Sequence, residues 1–549
     1  MKGPDFDWAG LPEDLRYGLL LGGVGQMHLT GLARAALGSP ATAGLGLDLL
    51  LAAWEAGPLD GGLAEMLAGL DARTGFLTPI ARAMAQAVRE AWREPSSAPD
   101  MARLAEAREH DRLLRWLGEG FRGDPGNLFW SRHLLDLAYL LADWDEALHV
   151  VREAPWPDAL GQVRDKILGD VAFQLGDFEK AGSLYRQALP LSPARLRLGE
   201  CLHRLGRQGE AVREWRKARA RAPWNVNILL CLHELMAGLE QTPAGGRPPL
   251  PESLAVCLYT SGKARELADT LKALYASDLG GARVVVLDNG STDDTRQVLA
   301  SWGDKTGRGD GESLEVIRLP VNVGAPAARN WLSRHETVAG CGFTAFLDDD
   351  ALVPPDWLHL LGRAVEAYPG AGVWGCKVVD QAAPGRIQNA EINLLADSGP
   401  GQDSASGLAL ASLCSQDLDF GQFDYMRPCL SVTGCCHLFR TSLLKEGGGF
   451  DIRFSPTQYD DLDHDLRQAA LGRTAVYQGG LTVRHARLSG ALLHGDRAAT
   501  GVSLGNLRKL AAKHCPQARR TMRLGAAQAM LSDVLDKEGR MRLLMEARG

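Results

Sequence analysis

The chain has 549 residues, of which 45% are hydrophobic and 23% charged, an ordinary globular composition long enough for several domains. Sixty Lys and Arg against 67 Asp and Glu leave a formal net charge of −7, so composition gives no general reason to expect nucleic-acid binding. The first residues, Met1 to Asp7, do not form a charged leader before an apolar core, and the longest apolar runs, such as 49–54, are far shorter than a bilayer needs; neither a secretory signal nor a transmembrane span is expected.

Residues 1–236 read as helix throughout, with Ala, Leu and Arg abundant, apolar residues recurring every three or four positions and no β-branched runs. The stretch 241–251 (QTPAGGRPPLP) holds four prolines and two glycines, cannot continue a helix, and marks a linker over 237–251. Beyond it, short Val/Leu/Ile strands alternate with amphipathic helices, the pattern of an α/β domain with a mostly parallel sheet. Ten cysteines are scattered along the chain; only Cys435 and Cys436 are close, and no C-x-x-C pair suggests zinc or a redox dithiol. Reduced thiols in a cytoplasmic protein are the expectation.

The helical half repeats itself. Leu168-Gly169, Gly176, Ala181, Tyr185, Ala188 and Pro193 recur 30 residues later as Leu198-Gly199, Gly206, Ala211, Trp215, Ala218 and Pro223. Trp144 and Ala147 match Phe178 and Ala181 at a spacing of 34. Small residues where two helices cross, with a large one filling the gap, resemble the tetratricopeptide repeat, although the 30-residue step is shorter than the usual repeat and implies one helix a turn short. A plain Ala-rich bundle would also place A-x₃-[YW]-x₂-A in its core. Residues 125–236 are the expected repeats and 1–124 a weaker, degenerate continuation. Stacked repeats commonly hold a partner, so this half is expected to bind a protein.

In the α/β half, strands are expected at 253–259, 283–287, 314–319 and 343–347, followed respectively by Thr260-Ser261-Gly262-Lys263, by Asp288-Asn289-Gly290-Ser291-Thr292-Asp293-Asp294, by Asn322-Val323-Gly324 running into Ala328-Arg329-Asn330, and by Asp348-Asp349-Asp350. Asn289-Gly290 makes a turn, and Ser291 with Asp294 has the spacing of a capping box. Open α/β sheets bind ligands beyond the carboxyl ends of their strands. Three adjacent carboxylates there are either a solvated acidic loop or an oxygen-ligand site for a divalent cation.

The order of these segments resembles family 2 glycosyltransferases with their GT-A fold. The resemblance continues through Thr433-Gly434-Cys435-Cys436-His437, similar to the family's acceptor-loop segment. It extends to Tyr459-Asp460-Asp461-Leu462-Asp463, with Arg467 and Gly472 following, and to a last strand ending in His485. It spans about residues 252–490, leaving 491–549 as a helical tail. The resemblance implies that the backbone around Thr260 and the side chain of Asp288 hold the nucleotide base, that Arg329 contacts the nucleotide or its phosphates, and that Asp348 binds ribose, with Asn289 and Asp349 completing the nucleotide-sugar site. Asp350, with His485, would hold Mg²⁺ or Mn²⁺ across the diphosphate, and Asp461, helped by Asp460, would be the general base of an inverting transfer. The nucleotide stays open between UDP, dTDP and GDP sugars.

Three positions depart from the family pattern: Lys263 stands where Arg is usual, Asp460 where Glu is usual, and His464 where an apolar residue is usual. The expected activity is sugar transfer to a hydroxyl, on a protein bound by the repeats, as in bacterial protein or flagellar glycosylation. The alternatives are a transferase of cell-surface polysaccharide synthesis and a repeat scaffold carrying an inactive transferase domain. A nucleotidyltransferase is disfavoured because T-S-G-K offers one Gly and one Lys rather than a Gly-rich basic loop. Arg508, Lys509, Lys513, Arg519, Arg520 and Arg523 form a basic tail, read either as a patch for peripheral contact at the inner face of the membrane or as a solvated helix face. Donor and acceptor specificity is expected from the irregular stretch 380–425.

Overall fold

The computed structural model describes residues 6–238, 249–306, 314–395, 408–414, 417–486 and 497–547. The expected linker therefore lies largely outside the described residues, as does part of 380–425. The chain forms two compact units, one comprising Met1–Leu239, Gln416–Gln422 and Met541–Gly549, the other Glu240–Ser415 and Phe423–Arg540. No described helix is long and apolar enough to cross a membrane.

Described residues of the first unit before 239 form helices without a single strand, as the 3.6-residue periodicity predicts. The 30-residue step corresponds to two helix pairs, Gly161–Gln174 with Phe178–Gln187 and Ser192–Arg204 with Gln208–Arg221. Asp177 opens the second helix of the first pair by accepting from Lys180 N at 3.1 Å, and Asp143 does the same for Glu146 N at 3.0 Å in the upstream copy. Phe178–Gln187 has 10 residues against 14 in its counterpart Gln208–Arg221, which accounts for the shortened repeat. The small-against-large pattern is steric: the Tyr185 ring rests on Gly169 and the Trp215 indole on Gly199, where an added Cβ would stand 2.2 Å from the indole nitrogen.

The array closes on itself. Asn225 donates to Gly23 O at 2.9 Å, Gly23 N donates to the Asn227 side chain at 2.7 Å, and Glu55 accepts from Ser192 N at 3.0 Å and Arg221 at 2.7 Å. The closure juxtaposes segments about two hundred positions apart in sequence. Residues 417–422 belong to this same unit, with Asn227 donating to Gln422 O at 2.9 Å and the Arg197 guanidinium lying 3.7 Å over the Phe420 ring.

The second unit is built on a 10-stranded sheet. Strands β1 (Leu254–Thr260), β2 (Arg283–Asn289), β3 (Leu314–Leu319) and β4 (Phe343–Leu347) run parallel in the order β4-β1-β2-β3. Helices Ala264–Tyr275, Thr295–Thr306 and Ala325–Arg334 connect them. Helical crossovers cover both faces, and the interior positions of β1 and β2 are correspondingly buried and apolar. Beyond β4 the sheet becomes mixed: Cys436–Arg440 pairs antiparallel with β4 and with Val373–Asp380, which runs parallel to Ala475–His485. The four leading strands thus deliver their carboxyl ends to one edge.

Two expectations are corrected. The capping box does not form: Asp293 accepts from Thr295 N at 3.1 Å and from Ala264 N at 2.9 Å, and the Ser291 hydroxyl accepts from Gly262 N at 3.1 Å. Adjacent parallel strands place the two loops side by side, so the Ser291 and Asp293 side chains satisfy orphan amides of the first loop. The basic tail is a solvated face only in part: Arg508, Lys509 and Arg520 are exposed, whereas Lys513 bridges Asp451 at 2.8 Å and Asp463 at 2.7 Å, His514 reaches Asp463 at 2.9 Å, and Arg519 and Arg523 are buried.

Candidate active site

Thr260 and Asp288, the last residues of two neighbouring parallel strands to pair, are partners in register. Asp288 is buried and turns the following loop by accepting from Ser291 N at 3.0 Å. Asn289 fastens the third loop to this edge, its Nδ2 donating to Asn322 at 3.0 Å and its Oδ1 accepting from Val323 N at 2.9 Å. Asn322 in turn donates to the Ser261 hydroxyl at 3.0 Å.

Asp348, Asp349 and Asp350 follow β4. Lys263 reaches across the edge to Asp349 at 2.7 Å and Asp350 at 2.8 Å, so the Lys that departs from the family pattern neutralises two of the three carboxylates. Burial works against charge on Asp350, but His485 and Lys263 hold its carboxyl well below the usual range. Asp348 behaves oppositely: burial pushes it up to about 6 despite the nearby Arg329 and His485. Burial alone would lower the His485 imidazole, yet Asp350, then Asp348, raise it.

His485 Nδ1 lies 3.0 Å from Gln388 Oε1, which orients the ring, and Nε2 lies 2.9 Å from Asp350 Oδ1. That oxygen is buried and is engaged by the His485 ring, while Lys263 holds the other oxygen of the same carboxylate. Asp348, Cys435 and His485 each offer a ligand atom, all within 4.8 Å of one another. A carboxylate oxygen facing an imidazole nitrogen, with a second carboxylate close by, matches the oxygen and nitrogen donors that Mn²⁺ accepts, at roughly the separation of neighbouring ligands held about 2.1 Å from one ion. The residues present therefore fit a divalent cation. Cys435 was missed because its neighbours in this cluster are distant in sequence and no spacing motif announces it.

Asp460 and Asp461 begin the helix Asp460–Ala470. Asp460 is buried and pairs with Arg329 Nη1 at 2.5 Å, while Arg329 Nη2 lies 3.3 Å from Gly434 O and 3.8 Å from Asp348. Asp461 faces the same place, its Oδ2 accepting from Gly434 N at 2.8 Å. A Cβ at Gly434 would stand 2.8 Å from both Arg329 Nη2 and Asp461 Oδ2, which explains a glycine there. The structure thus gathers all the sequence-predicted site residues along one edge, with Arg329 enclosed between Asp348 and Asp460. Behind them, His437 and His464 are fully buried among Phe346, Phe439 and Phe450. Burial lowers the His437 imidazole well below its usual range, so that ring is neutral packing.

The loop entering the acidic helix is strained, since Gln458 and Tyr459 both have positive φ, 77° and 69°. Asn506, buried in the tail helix, holds it by donating to Phe454 O and Thr457 O at 2.8 Å and Gln458 O at 3.3 Å. Asn506 is a positioning residue that sequence reasoning missed. Asn506→Ala is expected to release this loop and to lower the stability of the unit by about 1–3 kcal/mol. Thermal unfolding checks this; an unaltered melting temperature would remove the positioning role.

Residues 253–448 match the family model Glycosyl transferase family 2. The succinoglycan biosynthesis protein ExoU of Rhizobium meliloti (strain 1021) is 44% identical over 227 residues, covering 41% of this chain and 58% of that protein. Among solved structures, S. aureus TarS 1–349 is 18% identical over 43% of this chain and 60% of that chain, with a TM-score of 0.29. The mannosyltransferase PcManGT from Pyrobaculum calidifontis, in complex with GDP-Man and Mn²⁺, is 18% identical over 57% of this chain and 88% of that chain, with a TM-score of 0.32. The chain thus spans less than two thirds of the length of ExoU and of TarS 1–349.

Proposed function

Starting from the glycosyl transferase family 2 match over residues 253–448, we propose that the chain is an inverting glycosyltransferase that moves a sugar from a nucleotide sugar to a saccharide hydroxyl, in cell-surface polysaccharide synthesis. The observation that carries the reading is the single strand edge on which Thr260, Asp288 and the Asp348–Asp350 run face Asp461. Thr260, Asp288 and Asn289 hold the base of a UDP, dTDP or GDP sugar. Asp350, His485 and Asp348, with Cys435 at hand, would hold Mg²⁺ or Mn²⁺, which when bound neutralises charge on the departing diphosphate.

Asp461 takes the proton from the acceptor hydroxyl, its carboxylate fixed by Gly434 N donating to Oδ2 and Leu462 N donating to Oδ1, both at 2.8 Å. A base opposite the leaving group gives one displacement, so the anomeric configuration inverts. Arg329 holds Asp460 and stabilises the acidic edge. Lys263 screens Asp349 and Asp350 from each other.

A saccharide acceptor is favoured over the protein acceptor expected from the repeats for two reasons. The similar protein ExoU is named for polysaccharide biosynthesis, and the inner face of the helical unit already seats residues 417–422 of this chain. The test is transfer of labelled sugar from each donor to cell-surface oligosaccharides and to whole-protein extracts, with the product anomer read by NMR. Label entering an oligosaccharide with inverted configuration supports the reading; label entering protein, or retained configuration, would contradict it.

A further inference from the structure

The helical unit lines a partly open cavity of about 590 Å³, a size typical of small-ligand pockets. Its wall comes wholly from that unit, from its first helices, its repeats and residues 417–422.

The chemistry of the wall narrows the occupant. Tyr139, Trp215, Trp224 and Phe420 contribute aromatic rings. Five cations also line it, and each is already paired: Arg132 with Asp136 at 2.6 Å, Lys166 with Asp170 at 2.9 Å, Arg195 with Glu214 at 2.5 Å, Arg221 with Glu55 at 2.7 Å, and Arg197 with Asp170. A phosphate or other anion would find no cation without a carboxylate beside it. A hydrocarbon would strand these polar groups out of water. The Tyr139 hydroxyl, sequestered from solvent, has no hydrogen-bond partner.

A ligand that suits this wall presents apolar C–H faces to the rings and hydroxyls that both donate to carboxylates and accept from guanidinium edges. We infer that the helical unit holds a neutral saccharide in this cavity, against Tyr139, Trp215 and Trp224, as a second carbohydrate site distinct from the strand edge. The unit's own walls carry this assignment, which stands whether or not the transferase reading does.

The test titrates the full chain with neutral di- to tetrasaccharides of glucose, galactose and mannose, and with inorganic pyrophosphate as an anionic probe, by calorimetry. Two variants accompany it. Tyr139→Phe removes a hydroxyl sealed beneath the wall and serves as the control, and Ala52→Trp fills the cavity from a partly exposed wall position, with circular dichroism confirming that each folds. The expected result is saturable binding of a neutral saccharide, kept in Tyr139→Phe and abolished by Ala52→Trp, with nucleotide-sugar hydrolysis unchanged in both. No saccharide binding, binding of pyrophosphate in its place, or saccharide binding that persists in Ala52→Trp would overturn the site. Failure of hydrolysis in the unmodified chain would bear on the transferase reading alone.

Discussion

Asp461→Asn is expected to lower kcat by about 10²–10⁴-fold, the usual contribution of a positioned general base, while donor affinity stays near that of the unmodified chain. The amide keeps an oxygen that can accept from Gly434 N, at the expense of the contact from Leu462 N to the other oxygen, so the loop stays fastened while the proton acceptor is lost. Single-turnover transfer with saturating donor measures the chemical step directly. A rate within about threefold of the unmodified chain would move the base to another residue.

Arg329→Leu should have the largest effect on the fold. Arg329 and Asp460 are both buried, and removing one partner of such a pair leaves an uncompensated charge at a cost of about 3–5 kcal/mol. Burial already raises the Asp460 carboxyl above its usual range against the opposing pull of Arg329, and losing the guanidinium raises it further. A raised carboxyl stabilises the fold while protonated, and that contribution is lost as pH climbs through the folded value. The variant should therefore lie closest to the unmodified chain in acid and fall away from it as pH rises above the ordinary carboxylate range. Arg329→Leu combined with Asp460→Asn should recover part of the loss. Thermal unfolding across pH measures both; a flat pH dependence would mean the pair does not carry the stability.

Much of this architecture was readable from the residues. The expected strands 314–319 and 343–347 coincide with β3 and β4, short runs rich in Leu, Val, Ile and Phe that end at the Pro320 and Asp348 turns. The second strand runs past its expected end at 287 to Asn289, since Asp288 and Asn289 pair with Arg318 and Leu319 despite their polarity. The repeats were legible as Gly169 with Tyr185 and Gly199 with Trp215, a pattern that survives because a side chain at either glycine would collide with its ring.

What stayed hidden depends on distance in sequence. Cys435 meets Asp348 and His485 only in the folded sheet. Asn506 acts through backbone carbonyls about fifty positions away, and carbonyls leave no residue pattern to read. The basic tail was visible as charge, but its carboxylate partners Asp451 and Asp463 were not visible as such. The cavity of the helical unit required the closure between Gly23 and Asn225, which no local signal announces.

The most direct measurement of the central claim is hydrolysis of UDP, dTDP and GDP sugars in the presence of Mn²⁺ by the unmodified chain and by Asp350→Ala, since slow transfer to water needs no knowledge of the acceptor. The account predicts metal-dependent turnover of one donor, reduced by about 10²-fold or more when the buried oxygen that faces His485 is removed. Absence of binding and turnover with every donor, or turnover of one donor that persists equally in Asp350→Ala and in chelator, would contradict it.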